Sequence, residues 1–420
     1  MKTRILLVLF FLVQLGFSQE RTCGMEEKMA EMMFNPLLKQ KYEQRQIKFE
    51  QELLKLQSNR QSNVALNTPL RRIPVAVHYP EAGAADANLR SCLRALAQNQ
   101  IDILNADYNA TNVDLSIWNN TTSANFPTVN VGSLNVNFEL ATQNHPANSG
   151  LTNGQVAVTF GYDFGDRDLG SGQTDWDSKW IGYLNIIVKN LDNDRLGYAY
   201  LGSSPSDGAA VFITSSAFGS GVGCTDYAPV NPYNKGRTLT HELGHYFNLE
   251  HIWGRRNCGT DLVADTPQHN TSNGGCPDST HRSTCTGTPL ELTMNYMDYT
   301  NDACMYMFTA GQAQRQQSHL NTIASFFKQN TLLSNGDFDK NSFVLYPNPN
   351  KGSFNIQFSE IINDYSVQIF DNSGRVVFEN KYSGNNSLTQ EMNLNATAAG
   401  VYFVTIKSDD FITTKKVLVQ

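Results

Sequence analysis

Residues 241–253 read HELGHYFNLEHIW and hold three histidines and a glutamate at a defined spacing. On an α-helix, residues four apart lie on the same face, one turn from each other. His241 and His245 can therefore offer two imidazoles to one metal ion, with Glu242 beside them. His251 lies six residues past His245, where a continuous helix would turn it away from the metal. The spacing predicts a helix, then a bend that returns His251 as a third ligand.

This arrangement indicates a catalytic zinc site. Three protein ligands leave one zinc position open, as a catalytic site requires and a closed structural site does not. HExxH on a helix is typical of zinc peptidases, in which the glutamate is the general base towards water. The alternative is a surface helix that happens to hold two histidines, and the spacing of His251 argues against it. We expect zinc at His241, His245 and His251, and Glu242 as the base.

The bend departs from a known pattern at Asn248. The longer motif HExxHxxGxxH is that of the metzincin clan of metallopeptidases, and its glycine stands where the backbone needs a positive φ. Asn is the non-glycine residue most at ease in the left-handed region. We expect the turn to form, with some loss of stability.

The chain of 420 residues is long enough for two or three domains, and its net charge of −7 argues against nucleic acid as a partner. Residues 1–18 have the pattern of a secretory signal peptide: a charged start, an apolar run at residues 5–17, and small residues before the cut. No apolar stretch reaches the roughly 20 residues of a membrane span, so we expect no transmembrane segment. Disulfides are compatible with export.

Residues 19–70 are interpreted as a propeptide. Residues 25–56 are rich in Lys, Glu, Gln, Met and Leu and have helical patterning, which predicts a helical segment. Cys23 lies just ahead, and its thiolate would cap the zinc and displace the catalytic water. The alternative is a cysteine without such a role. We expect Cys23 to be a latency switch.

Residues 71–330 alternate strand and helix patterns. Strands are predicted at residues 73–79, 134–140, 184–188 and 209–215, and helices at 88–108, from Arg237 through HExxH, and at 309–327. This order predicts an α/β domain with a mixed, twisted sheet and the active-site helix packed under it.

Six cysteines follow residue 90, and the last four form a cluster at Cys258, Cys276, Cys285 and Cys304. In an exported chain these four favour disulfides over a second zinc site, but spacing does not choose among their three connectivities. Cys92 and Cys224 are either free or paired with each other. Asp261, Asp265 and Thr266 group oxygen donors in one loop, which predicts a calcium site or an ordinary Asp-rich turn.

Residues 293–299 read TMNYMDY and are followed by DACM at 302–305. Metzincins carry a methionine-containing turn beneath the zinc, and this version resembles the pappalysin family with its ulilysin-like members. The resemblance covers residues 73–327 and implies a metzincin-like catalytic fold. It implies that Met297 is the Met-turn residue, rather than a plain core methionine, and that Tyr299 hangs over the zinc and donates to the oxyanion.

The same resemblance carries further implications. It implies the disulfides Cys258–Cys285 and Cys276–Cys304, calcium at Asp265 and Thr266, and a pro-segment cysteine on the zinc, here Cys23. From its place near the Met-turn, Asp302 is expected to line the pocket for the residue after the scissile bond and to favour Lys or Arg there.

Residues 331–341 read as a polar linker, and residues 342–420 as short strands separated by turns, which predicts a small all-β Ig-like sandwich. The stretches LYPNP (345–349), GRVV (374–377) and GVY (400–402) resemble the C-terminal sorting domain of type IX secretion cargo. That resemblance implies export across a bacterial outer membrane by the type IX machinery. The alternative is an accessory carbohydrate- or protein-binding sandwich.

The sequence as a whole predicts a secreted zinc endopeptidase acting on proteins and peptides. One alternative is a binding or adhesion protein on a catalytically retired peptidase scaffold, which only Asn248 favours. Another is a different zinc hydrolase, such as a cell-wall amidase, against which the Met-turn argues.

Overall fold

The computed structural model describes residues 21–61, 70–165, 175–331, 343–358, 362, 364–394, 398–408 and 412–420. The predicted signal peptide at 1–18 and nearly all of the predicted linker lie outside the described residues. The chain divides into two compact units, Met1–Thr331 and Leu332–Gln420. No helix in the described ranges is both long enough and apolar enough to cross a membrane.

Two helices, α1 (Met25–Met33) and α2 (Pro36–Gln61), occupy the predicted propeptide. The sequence predicted one helical segment over 25–56, and the break follows from Pro36. Proline has no N–H and a fixed φ, so it suits the first position of a helix and not its interior. The buried methionines of α1 pack against aromatic side chains of the following domain.

A six-stranded sheet forms the body of the first unit. Its strands are β1 (Arg71–Tyr79), β2 (Val136–Leu140), β3 (Val158–Phe160), β4 (Leu184–Val188), β5 (Gly197–Tyr198) and β6 (Ala210–Ile213). The order is β2-β1-β4-β6-β5, with β3 pairing with β1. All pairs are parallel except β5 with β6, so the predicted mixed sheet is confirmed and β5 ends the strand order. Strands β3 and β5 were not predicted because two or three residues are too few to show a period.

Four helices complete the catalytic region: α3 (Ala87–Tyr108), α4 (Leu115–Asn120), α5 (Arg237–Tyr246) and α6 (Ala310–Ile323). Asp86 accepts from the backbone N–H of Leu89 to cap α3, and Thr309 caps α6 in a capping box. Every residue of α5 is buried. Because α5 is rich in polar residues, each buried polar side chain on it needs a partner, and those partners build the site.

Three disulfides stabilise this region: Cys92–Cys224, Cys258–Cys285 and Cys276–Cys304. The last two are the pairs that the family resemblance implied. The first resolves an open alternative, because Cys92 and Cys224 pair with each other. Cys23 is the free cysteine among the residues that the structure describes.

The second unit is an all-β sandwich, as predicted. One sheet, in the order β10-β9-β12-β13, contains β9 (Tyr365–Phe370), β10 (Val376–Tyr382), β12 (Gly400–Lys407) and β13 (Ile412–Val419). The other, in the order β11-β8-β7, contains β7 (Phe343–Tyr346), β8 (Ser353–Phe358) and β11 (Thr389–Asn393). Residues of both sheets, such as Ile356 and Val404, form one apolar core.

Candidate active site

Three histidines converge beside α5. The Nε2 atom of His245 lies 3.2 Å from the Nε2 atoms of both His241 and His251. Two nitrogens that bind one zinc tetrahedrally at about 2.0–2.1 Å are roughly 3.4 Å apart. Ligand atoms of these histidines and of Cys23 all lie within 4.8 Å of one another. The donor set and its spacing therefore fit a zinc ion.

The bend after α5 is made by Asn248, whose φ is 72°. The backbone N–H of Asn248 donates to the carbonyl of His245, and the next N–H, of Leu249, donates to Gly244. This left-handed residue ends the helix and reverses the chain, which brings His251 back to the other two histidines. Asparagine thus fills the glycine position of the motif without loss of the turn.

Hydrogen bonds of the Nδ1 atoms fix the ring orientation of two of the three histidines. His241 Nδ1 lies 2.7 Å from the carbonyl oxygen of Tyr296, and His245 Nδ1 lies 2.7 Å from that of Leu249. A carbonyl partner fixes the tautomer that leaves Nε2 for the metal. His251 differs, because its Nδ1 faces the carboxylate of Glu26 at 3.5 Å.

Glu242 is buried beside the histidines. Its Oε2 lies 3.3 Å from the Sγ of Cys23. Burial raises the pKa of Glu242 to about 8, and the contact with Cys23 opposes the rise. Burial and the Glu242 carboxylate raise the pKa of the Cys23 thiol. The structure thus brings the predicted base and the predicted latency residue into direct contact.

Met297 and Tyr299 contact different parts of the histidine cluster and its helix. Met297 is fully buried beneath α5, where its Sδ occupies the space that a Cβ on Gly244 would need. The Tyr299 hydroxyl lies 3.2 Å from the Nε2 of His251. The methionine therefore packs against α5 and supports it, while the hydroxyl of the tyrosine points toward the three histidines.

The start of the predicted propeptide runs parallel to strand β5, beside the histidines. Leu196 donates its N–H to the carbonyl of Thr22, and Gly24 donates to the carbonyl of Gly197. Arg21 enters a buried pocket and pairs with Asp302 at 2.5 Å. The sequence reasoning assigned no role to Arg21, although the expected Lys or Arg preference of Asp302 was a signal for it.

A buried ion-pair network that the sequence did not predict supports α5. Arg237 donates to the carboxylate of Asp107 and to the Tyr296 hydroxyl, the latter at 2.5 Å. Asp107 also accepts from the Thr240 hydroxyl at 2.6 Å. Because the carbonyl of Tyr296 lies 2.7 Å from His241 Nδ1, this network connects α3, the predicted Met-turn and a predicted zinc ligand. Asp107 is 130 residues from Arg237 in sequence, so no local pattern pointed to it.

The predicted calcium residues are engaged with protein groups. Asp265 accepts from the hydroxyl of Thr309 and the N–H of Gly311 at the start of α6. The Thr266 hydroxyl donates to Asp261 at 2.7 Å. Asp261 has one buried carboxylate oxygen without a protein partner, and burial raises its pKa to about 7. An oxygen-seeking cation would suit Asp261 better than Asp265, and calcium at Asp265 and Thr266 stays a prediction.

Comparisons with known proteins agree with this geometry. Residues 173–321 match the family described as pregnancy-associated plasma protein-A, peptidase family M43, and residues 344–420 match a secretion system C-terminal sorting domain. An extracellular metalloprotease of Verticillium alfalfae is 32% identical over 224 residues, 53% of this chain and 67% of that protein. One of Arthroderma benhamiae is 36% identical over 135 residues, 31% of this chain and 48% of that protein.

A solved structure of a Tannerella forsythia promirolysin mutant is similar over 72% of this chain and 95% of its own, with 32% identity and a TM-score of 0.53. The chain spans about half the length of most of the first curated relatives that it matches. The sorting domain and the extracellular relatives show a protein exported to the extracellular space or the cell surface. The chain belongs to the pappalysin family of metzincin-type metallopeptidases and ends in a type IX sorting domain.

Proposed function

We propose that the mature chain is a secreted zinc-dependent endopeptidase that hydrolyses protein and peptide substrates. The observation that carries the proposal is the convergence of three histidine Nε2 atoms beside Glu242 and Tyr299, in a cleft bordered by strand β5. His241, His245 and His251 would hold zinc, which supplies a Lewis acid that polarises the peptide carbonyl and lowers the pKa of water.

The side chains around the metal perform the proton transfers. Glu242 takes a proton from the attacking water and then delivers it to the leaving amine. Tyr299 donates its hydroxyl hydrogen to the oxyanion that develops on the carbonyl oxygen. Met297 supports the floor of the site and takes no part in the chemistry.

The cleft binds its substrate as an added strand. In the precursor, the N–H of Leu196 and the carbonyl of Gly197 are bonded to the pro-segment. Removal of that segment frees both groups to hydrogen-bond to a substrate backbone, which runs in the opposite direction because the pro-segment is parallel to β5 and Asp302 takes the residue after the scissile bond. Asp302 then takes a basic side chain on the residue after the scissile bond, as it takes Arg21 in the precursor.

Cys23 would bind the zinc in place of the catalytic water and so keep the precursor latent. The type IX secretion machinery is the partner of the sorting domain. The role of Cys23 rests on geometry and family likeness, and the role of the sorting domain rests on its family match. The sulfur of Cys23 lies with the histidine nitrogens, and a thiolate is a strong zinc ligand.

The proposal is tested by zinc content and by casein or gelatin hydrolysis after maturation of the full precursor. We expect about one zinc per chain, bound at the three-histidine site, and cleavage that a chelator abolishes. Glu242→Gln should keep the zinc and lose cleavage by a factor of about a hundred or more, because it removes the general base. Zinc without cleavage on any substrate would favour the retired binding protein, and absence of zinc would refute the proposal.

A further inference from the structure

The Nδ1 atom of His251 differs from those of the other two histidines. His251 is 1% exposed, and its Nδ1 forms no standard hydrogen bond in the described part of the chain. The group that faces it is the carboxylate of Glu26, at 3.5 Å. Glu26 is part of α1, so its carboxylate belongs to the pro-segment and not to the catalytic domain.

Maturation therefore removes the protein group that faces this N–H. A metal-binding histidine almost always donates its other N–H to a carboxylate, a carbonyl or water, and metal binding makes that N–H a better donor. His241 and His245 keep their carbonyl partners after the pro-segment leaves, because Tyr296 and Leu249 are in the catalytic domain. His251 alone among the three histidines loses its facing group.

A cation lies beside the same position. Arg255 lines one cavity together with Glu26 and Glu250, and its guanidinium bonds to Glu250 at 2.5 and 3.0 Å. Arg255 thus neutralises the one acidic catalytic-domain residue that lines this cavity. A carboxylate placed where Glu26 lies is close to the His251 N–H donor and to the neutral Arg255–Glu250 ion pair, so no net negative charge repels it.

We propose that His251 Nδ1 and Arg255 form, in the mature enzyme, a binding subsite for an acidic side chain of the substrate. The inference rests on the proposed peptidase function and specifies its substrate class further. The pro-segment backbone places Arg21 in the Asp302 pocket, Cys23 at the histidines and Glu26 beyond them. If Asp302 binds the residue after the scissile bond, the substrate runs opposite to the pro-segment, and this subsite binds a Glu or Asp before that bond.

The test compares pairs of peptides on the mature enzyme. Each pair has Lys after the scissile bond and either Glu or Gln at one of the positions before it. At one of these positions, Glu should raise kcat/KM about three-fold to ten-fold over Gln, as expected for a partly exposed hydrogen bond to a charged group. A Glu-to-Gln ratio near one at every position would overturn the inference while leaving the peptidase proposal intact. Failure to cleave any peptide would overturn both.

Variants identify the groups responsible. Arg255→Gln should remove the preference for Glu, because Glu250 then repels an incoming carboxylate. Arg256→Gln is the matched control, since this neighbouring arginine does not line the cavity with Glu26, and it should keep the ratio. If Arg255→Gln keeps the wild-type ratio of kcat/KM between the Glu and Gln peptides, the proposed role of Arg255 is wrong.

A measurement without catalysis uses the Glu242→Gln precursor. Adding Glu26→Gln should speed hydrogen exchange of the α1 amides several-fold. Adding Glu27→Gln removes the other first-turn carboxylate of α1, which pairs with Arg195, so it shows how α1 responds to the loss of a first-turn charge and one ion pair. Exchange that Glu26→Gln leaves as slow as in the Glu242→Gln parent would mean that His251 does not hold a carboxylate, which overturns the inference independently of activity.

Discussion

The side-chain amides of Gln46 and Asn248 exchange two hydrogen bonds, of 3.1 and 3.0 Å, between helix α2 and the turn that returns His251. Asn248 is 1% exposed, and a buried amide requires partners. The residue that replaces glycine in the zinc motif therefore also binds the pro-segment. Next to it, Arg45 pairs with Asp207 at 2.6 Å, so α2 has polar contacts of its own, separate from those of Cys23.

Gln46→Ala should loosen α2 in the precursor. The change removes two hydrogen bonds, each worth about 0.5–1.5 kcal/mol. In the Glu242→Gln background, we expect faster hydrogen exchange of the α2 amides, with α1 less affected. Gln51→Ala, an exposed position of the same helix, is the control and should change little.

Asn248→Gly should reproduce the effect of Gln46→Ala, because glycine adopts a φ of 72° readily and offers Gln46 no partner. Combined with Gln46→Ala, it should add little further. Fully additive effects of the two substitutions would show that the amides do not act as a pair.

Cys23→Ala should shorten the latency of the precursor. The change empties the position that the thiol holds next to the three histidines and Glu242, so water can enter. We expect the time to half-maximal activity to shorten, since the change removes the thiolate that would hold the pro-segment at the metal. Cys23→Ser controls for size, because a hydroxyl is a weaker ligand. Latency that stays unchanged in both variants would assign the block to Arg21 or α2.

Asp302→Asn should weaken selection of Lys and Arg after the scissile bond. In the precursor, one oxygen of Asp302 pairs with Arg21 and the other accepts from the N–H groups of Lys235 and Arg237. An amide keeps the size of the side chain and removes its charge. We expect kcat/KM for a Lys peptide to fall about ten-fold, the loss of a charge-assisted hydrogen bond, relative to a Leu peptide. A Lys-to-Leu ratio equal to that of the wild type would exclude Asp302 from the specificity pocket.

The sequence predicted those parts of the site whose residues lie close together in the chain. The HExxH spacing places His241 and His245 on one helix face, and a second local motif supplies Met297 and Tyr299. The contacts that complete the site join distant segments: Gln46 with Asn248, Asp107 with Arg237, and Glu26 with His251. Such pairs leave no periodic or spacing signal in a single sequence. The same limit explains why the sequence did not decide whether Cys92 and Cys224 form a disulfide.

Asp107→Asn should destabilise the fold and weaken metal retention together. Arg237 is buried with Asp107 as its closest anionic partner and with Asp114 bonded to its second nitrogen at 2.9 Å. Removing one partner of a buried pair typically costs about 3–5 kcal/mol, and Asp114 should reduce that loss. Denaturant unfolding of the zinc-free and zinc-loaded precursor measures both effects. If zinc affinity is unchanged while stability falls, the network does not position His241 through Tyr296.

Lowering the pH should destabilise the first unit partly through His319. This side chain is fully buried and donates its Nε2–H to the Ser203 carbonyl at 2.7 Å, and its burial lowers its pKa to about 4. The unfolded chain takes up the proton near pH 6.5 and the folded chain does not, so stability is lost as pH falls from about 6.5 to about 4. His319→Gln keeps an amide donor for Ser203 and removes the titration. We therefore expect the thermal midpoint of the Glu242→Gln precursor to fall less between about pH 7 and about pH 4.5 in the variant than in its parent. Equal falls would show that His319 is charged in the folded state or does not contribute, because the other buried groups titrate identically in both proteins.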